Sequence, residues 1–523
     1  MADAAKLGKS VGRLAAIAVV LACVPVIARA APGENELASI ELATGMAAGG
    51  SVGRVSTSGN GRYLLFGSTA STLVDGDTNG VQDVFLRDRS TGITERISVG
   101  LGGMEANGPS WPGSISANGR YVIFESSAGN LVHGDEYDGN YETFLLDRQT
   151  GLTIRAPIRL NSTYYWPYWS SVSNDGEFAA LVAGSSVYLW HFRWDGQISN
   201  LRWITEGYYP SISGNGRYVV FGSYRADLVP NDVPDTFDLF IWDRVSRTYR
   251  RVGQNIYAQA ASFKSISRDG RWVAYVGAQP PEPGQQFGDA HAFLWDGTTG
   301  ETKLVSVSAA GVEANRATYD VSVSDDGRYV AFTSTATNLA PGEDLSSWDL
   351  DLFIKDMQTG AVERVTGHTL GRGMNDQPAL SDDGRFLGFN STDPLLPADA
   401  NVDTDTFVHE TGWSSDVPGV YDYFLRPRAL DFGDVAVTAE LKKGFTLSNS
   451  GSAPLPITMV EVLGVDRSQF ALRSYCGSMV QAGKWCWIAV TFKPIAAGYK
   501  QASLHVMAVG IERHRSLRGT GMP

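Results

Sequence analysis

Asp75-Gly76-Asp77-Thr78-Asn79-Gly80-Val81-Gln82-Asp83 places four oxygen-bearing side chains at the spacing D-x-D-x-N-G-x-x-D. Alternating carboxylate and amide oxygens can wrap one hard cation while Gly80 permits a sharp turn, so Asp75, Asp77, Asn79 and Asp83 form a candidate calcium loop. Leu86 stands where an EF-hand would carry its bidentate acid. The same residues also fit a pair of Asx-turns on a solvated loop. Related segments later in the chain have drifted: GDEYDGNYE at 134–142, NDVPDTFD at 231–238, GEDLSSWDLD at 342–351 and DANVDTD at 399–405.

A second set of residues suited to recognition is aromatic: Trp111, then Tyr164, Tyr165, Trp166, Tyr168 and Trp169, then Tyr208 and Tyr209, with Phe263 and Tyr319 further on. Ring faces beside hydrogen-bond acceptors suit sugars or the apolar side chains of a peptide. They equally suit packing beside a short structural unit. H-E-x-x-H helices and phosphate loops are absent from the sequence. Its seven histidines are scattered singly, and no carboxylate pair is singled out by spacing. No catalytic residue is therefore nominated, and a binding protein is expected ahead of an enzyme. A polysaccharide hydrolase or lyase stays open, since such pairs converge in space rather than in sequence.

The elements that position these residues come from one phrase written seven times: SGNGRYLLF at 58–66, SANGRYVIF at 116–124, SNDGEFAAL at 173–181, SGNGRYVVF at 213–221, SRDGRWVAY at 267–275, SDDGRYVAF at 324–332 and SDDGRFLGF at 381–389. Most steps are about 54 to 58 residues, with one short step between Gly176 and Gly216, the mark of stacked supersecondary units. Asn-Gly or Asp-Gly between apolar runs is a tight-hairpin signal, and the strand after it is apolar on both faces, as a doubly buried strand must be. A second phrase such as DVFLRDRSTG at 83–92 or DLFIKDMQTG at 351–360, and a short strand after it, complete four strands per unit. That is the content of a propeller blade. The expectation is an all-β chain: a seven-bladed β-propeller over 36–413, a linker at 414–427 and a C-terminal immunoglobulin-like β-sandwich over 428–523. The seventh unit lacks a last strand, and residues 40–43 are expected to supply it and remove a free edge; a strand at 421–425 is the alternative.

Residues 1–30 read as a secretory signal, with Lys6, Lys9 and Arg13 before an apolar run at 14–27 and Ala28-Arg29-Ala30 as the cleavage site. The run is short for a membrane span; 20–23 also faintly resembles a lipoprotein cleavage box, which Leu21 suits poorly. Cleavage would remove four basic side chains and one acidic one, moving the formal charge from −13 to −16. So acidic a chain lacks the clustered Lys and Arg that nucleic-acid binding uses. Cys476 and Cys486 would remain, an even pair that favours a disulfide in an exported protein. No transmembrane anchor is expected, and a monomer is expected.

PSISGNGRYVVF at 210–221, the loop VDGDTNGVQDVFLRDRSTG at 74–92 and TERISV after it resemble the TolB-like, WD-repeat-like propellers of exported bacterial proteins, over nearly all of 40–413. LDFGDVAV, TLSNSGSAPLPI, AGKWCWIAVTFKP and SLRGTG resemble the ASH/Hydin-type modules, also called choice-of-anchor D. The first resemblance speaks for fold and little for function, because propellers host binders and enzymes alike. The second implies a docking or adhesion module. Together they lead to an exported, non-catalytic binding protein whose ligand is a protein, peptide or glycan of the cell envelope, with a purely structural surface protein as a further alternative.

Overall fold

The computed structural model describes residues 33–134, 139–158, 170–192, 200–230, 232, 236–253, 257–260, 266–278, 288–340, 349–366, 373–401, 403–411, 423–426, 429–449, 454–481, 484–508 and 511–523. The signal segment, Tyr164 to Trp169 and most of the proposed linker lie outside them. The described residues form strands and two short 3₁₀ turns; no helix among them is long and apolar enough to cross a membrane.

Seven four-stranded antiparallel sheets follow one another along the chain up to Glu410. The first sheet is Ser56–Thr57, Tyr63–Ser68, Asp83–Asp88 and Ile93–Arg96, and the second is Ser110–Ile115, Tyr121–Ser126, Glu142–Asp147 and Leu152–Arg155. The third to sixth repeat this order from Ser171, Tyr208, Tyr257 and Thr318. First strands of neighbouring sheets pack on one another about a common axis, the arrangement of a β-propeller.

Each residue of the repeated phrase has a physical task. In the first copy, the Ser58 hydroxyl donates to Asn60 Oδ1 at 3.1 Å and accepts from the Tyr63 amide at 2.9 Å, which staples the turn. Gly61 takes φ +64°, and glycine is needed there for a second reason. A Cβ on Gly119 would overlap the ring of Tyr63, one on Gly176 the ring of Tyr121, and so on to Gly384 on Tyr329 and Gly61 on Phe386. Every turn thus rests on the aromatic residue of the preceding sheet, and the last rests against the first. The arginine pairs across its own sheet: Arg62 Nε and Nη2 donate to Asp88 at 2.9 and 2.6 Å. Five other sheets repeat this pair, while the third has Glu177 and His191 in the two places.

The seventh sheet is Asn375–Leu380, Phe386–Ser391 and Asp405–Glu410, with Asn35–Leu37 antiparallel to the last of these. Its outer strand therefore precedes the expected 40–43. Ile40 instead bridges Ala47 across a turn, because Leu37 is the residue that fills the core beside Phe407. Tyr423–Arg426, the alternative closing strand, pairs with Leu441–Asn449 in the C-terminal region.

That region holds two sheets around one apolar cluster that includes Phe432, Phe445, Ile488, Leu504 and Leu517. One has the order Tyr423–Arg426, Leu441–Asn449, Trp485–Phe492, Phe470–Ser474; in the other, Ala429–Ala436 runs parallel to Ile511–Met522. Cys476 and Cys486 are disulfide-bonded with Cα atoms 4.9 Å apart.

Candidate functional site

The axis has two ends, and the first strands are built differently at each. At the hairpin end, the variable second residue of the repeated phrase faces inward: Ala117, Asn174, Gly214, Arg268, Asp325 and Asp382 line a cavity of about 60 Å³. That is room for roughly two waters at about 30 Å³ each, far below a ligand pocket of roughly 300 Å³ or more. Backbone bonds lace this end shut, among them Asp325 N to Asp382 O, Asp382 N to Gly59 O and Gly59 N to Ala117 O, each 2.9 Å.

At the opposite end the strands are irregular. Register slips interrupt the first strands of the second, fourth, fifth, sixth and seventh sheets before the regular pairing begins. Bulges re-aim side chains and are common beside functional sites. Two residues in these slips, Tyr209 and Gln377, sit at φ +56° and +57°, a left-handed conformation that side chains other than glycine rarely adopt and that costs on the order of 1–3 kcal/mol.

The slips gather titratable groups. Arg54, four residues before Ser58, is buried and has Asp320, Glu125 and Tyr209 acting on it electrostatically; burial holds its pKa well below the ordinary arginine value. Asp320 occupies the equivalent place in the sixth sheet, and its carboxyl is pushed up by burial against the pull of Arg54. Glu125 pairs across its sheet with Trp111, is 1% exposed and is raised to about 8 by burial. Asp376, opposite Asn390 in the seventh sheet, is raised to about 7 by burial and then by Asp320. Two carboxyl groups, Glu125 and Asp320, therefore act on one guanidinium, Asp376 is coupled to it through Asp320, and Glu125 and Asp376 hold a proton near neutrality.

Of the residues nominated from sequence, the structure brings Trp111 and Tyr209 to this end. Trp111 is half-buried with its ring over Gly53. Tyr208 and Tyr209 lie against Phe237 at 6.4 and 6.2 Å, and the 61% exposed Tyr224 meets the same ring at 4.9 Å with the planes tilted by 55°. Tyr164, Tyr165, Trp166, Tyr168 and Trp169 fall outside the described residues. Arg54, Glu125, Asp320 and Asp376 were not nominated. Their signal was present: Glu125 stands where other copies have Gly67, Gly222, Thr333 and Asn390.

The candidate calcium loop of the first sheet is organised around an internal cation. Arg96 Nη1 lies 2.8 Å from Glu105 Oε1, 3.5 Å from Asp77 Oδ1 and 3.9 Å from Asp83 Oδ2. Asn79 Nδ2 donates to Asp83 Oδ2 at 3.0 Å, and the Ser98 hydroxyl donates to Asp83 Oδ1. Burial raises the pKa of both Asp77 and Asp83. Asp75 is exposed. A calcium ion in this loop would share its oxygens with the guanidinium.

No protein-family profile and no curated protein matches the sequence. Among solved structures, the chain is similar to hydrazine synthase of Kuenenia stuttgartiensis, with 14% identity over 64% of this chain and 91% of that one and a TM-score of 0.39. It is similar to a putative TolB from Agrobacterium tumefaciens, at 15% identity over 68% and 89% with a TM-score of 0.32. TolB from Acinetobacter baumannii matches at 13% identity over 67% and 81%, TM-score 0.34.

Proposed function

We propose that this chain is a non-catalytic exported binding protein: a seven-bladed propeller that holds a protein, peptide or glycan of the cell envelope at the axial end opposite its hairpin turns, joined to an immunoglobulin-like module that docks an envelope partner. One observation carries the reading. Five of seven first strands abandon regular pairing at that end, and there Arg54, Glu125, Asp320 and Asp376 meet Trp111 and Tyr209. A fold that needed only to pack would keep the register, as it does at the laced hairpin end. Buried donors and acceptors beside ring faces suit a ligand carrying both polar groups and an apolar surface. The formal charge of −13 disfavours nucleic acid. For the C-terminal module, the parallel pairing of its first and last long strands around a shared core supports the immunoglobulin-like reading.

Glycan and peptide arrays probed with the mature chain test the proposal. The double variant Arg54→Ala, Tyr209→Ala should keep its circular dichroism spectrum and lose at least tenfold in affinity for whatever the wild type captures. Unchanged affinity in the folded variant would place the ligand elsewhere.

A second reading, a polysaccharide hydrolase or lyase at the same end, is favoured by Glu125 and Asp376, since carboxylic acids that keep a proton near neutrality are what general acid catalysis requires. Turnover of a polysaccharide panel that Glu125→Gln abolishes would establish it; no turnover by wild type on any member would dismiss it.

A further inference from the structure

The sheets annotate one another, because the same positions recur in each. The third strand opens on an acidic residue in five of them: Asp83, Glu142, Asp238, Asp351 and Asp405. Two residues further on comes a phenylalanine, and the residue paired with it on the fourth strand is Arg96 opposite Phe85, Arg155 opposite Phe144, Arg251 opposite Phe240 and Arg364 opposite Phe353. Each arginine reaches back to its own acid: Arg155 to Glu142 at 3.1 Å, Arg364 to Asp351 at 3.6 Å, Arg96 to Asp83 at 3.9 Å, and Arg251 to Asp238. In the fifth sheet the acid is replaced by His291 and the arginine by Leu304 together. Acid and cation come and go as a pair. The seventh sheet breaks the rule, for opposite Phe407 stands Leu37.

The rest of the first-sheet arrangement is intact in the seventh. Asp405 Oδ1 accepts from the Ser39 hydroxyl at 2.6 Å, as Asp83 does from Ser98. Asn401 Nδ2 donates to Asp405 Oδ2 at 3.0 Å and lies 3.4 Å from the Ala47 carbonyl; Asn79 Nδ2 makes the same two contacts with Asp83 and Ala106. Asp399 stands six residues before Asp405, as Asp77 stands six before Asp83. Asp77 has Arg96 beside it. Asp399 is only 4% exposed, and its Oδ1 has no hydrogen-bond partner.

We propose that Asp399 and Asp405 of the seventh sheet hold a hard divalent cation of the calcium class between their carboxylates, where the first sheet holds the guanidinium of Arg96. Among the described residues no three acidic, imidazole or thiol side chains already stand at metal-binding distance. The cation is therefore held by two carboxylates, with the Ala47 carbonyl and water completing an oxygen shell. It fastens residues 35–51 to Asp399 and Asp405, which is where the ring of sheets is closed, so its effect is read as stability.

The test is thermal unfolding of the mature full-length chain in chelator and then in calcium chloride up to roughly 10 mM, the range of weak extracellular sites. Wild type should gain roughly 2–6 °C. Asp399→Asn should abolish the gain, and Asp77→Asn, in the arginine-filled loop, should leave it. Should Asp399→Asn fail to fold, Leu37→Arg serves instead: supplying the missing internal cation should abolish the calcium response while the protein still unfolds cooperatively. Absence of a wild-type gain overturns the proposal. So does a gain that persists in folded Asp399→Asn or in Leu37→Arg.

Discussion

Glu125 sits in a strand where side chains face the inter-strand core, and a carboxyl group there is tolerated by staying protonated. Its pKa of about 8 against an unfolded value of about 4.3 gives the sign directly. Between those values the unfolded chain releases a proton that the folded chain keeps, so stability falls as pH rises from about 4.3 to about 8. Glu125→Gln keeps the shape and removes the titration. Its melting temperature should match wild type near pH 4 and exceed it at pH 8, measured by paired thermal scans across that range. A wild-type profile that tracks the variant at every pH would mean that Glu125 is ionised, with Arg54 as its counter-ion.

At the scale of elements, the hairpin turns show how one glycine answers two demands. Gly119 has φ +69° and a Cβ there would overlap the ring of Tyr63; Gly151 has φ +71° and nothing within reach of a Cβ. Gly151→Ala should cost about 1–2 kcal/mol for the left-handed backbone alone. Gly119→Ala should cost about 1–3 kcal/mol more, for displacing a packed ring, in urea unfolding of the two variants side by side. The turn itself was legible in the sequence because Asn-Gly has local causes. Its packing on the preceding unit was not, since the partner lies about 56 residues upstream. The same distinction explains the other misses. The three residues of Asn35–Leu37 are too few to show a period, so the sequence pattern points to 40–43 as the closing strand instead. Arg96 lies 13 residues beyond Asp83 and meets the calcium-like loop only through cross-strand register. Arg54, Glu125, Asp320 and Asp376 depart from the repeat singly and inside or just before strands, where loop-directed reading passes over them.

For the whole molecule, two sets of carboxyl groups pull its pH optimum in opposite directions. The first set binds the sheets: Asp88, Asp243 and Asp296 are held down at about 2 against the tendency of burial, by their pairs with Arg62, Arg217 and Arg271. Asp147 and Asp356 are lowered by Arg120 and Arg328 in the same way. A depressed carboxyl contributes stability that is complete above its unfolded value of about 3.9 and lost as pH falls through about 2. Each such pair is partly exposed and worth only about 0–1 kcal/mol, but five recur around one ring. The second set is axial: Glu125 and Asp376, at about 8 and 7, contribute stability at low pH that is lost as pH rises above about 4. The two windows overlap at about pH 4 to 5, where the paired acids are ionised and the axial acids keep their protons in the folded chain while those of the unfolded chain have only begun to lose theirs. The chain should therefore melt highest on the acid side of neutrality, at about pH 4 to 5, in calorimetric scans from pH 2 to 9. In the double variant Glu125→Gln, Asp376→Asn the acid limb should persist, because its Arg–Asp pairs are untouched, while the decline above pH 5 should flatten and the maximum move towards neutrality. A double variant that keeps the wild-type decline would assign it to groups away from the axis.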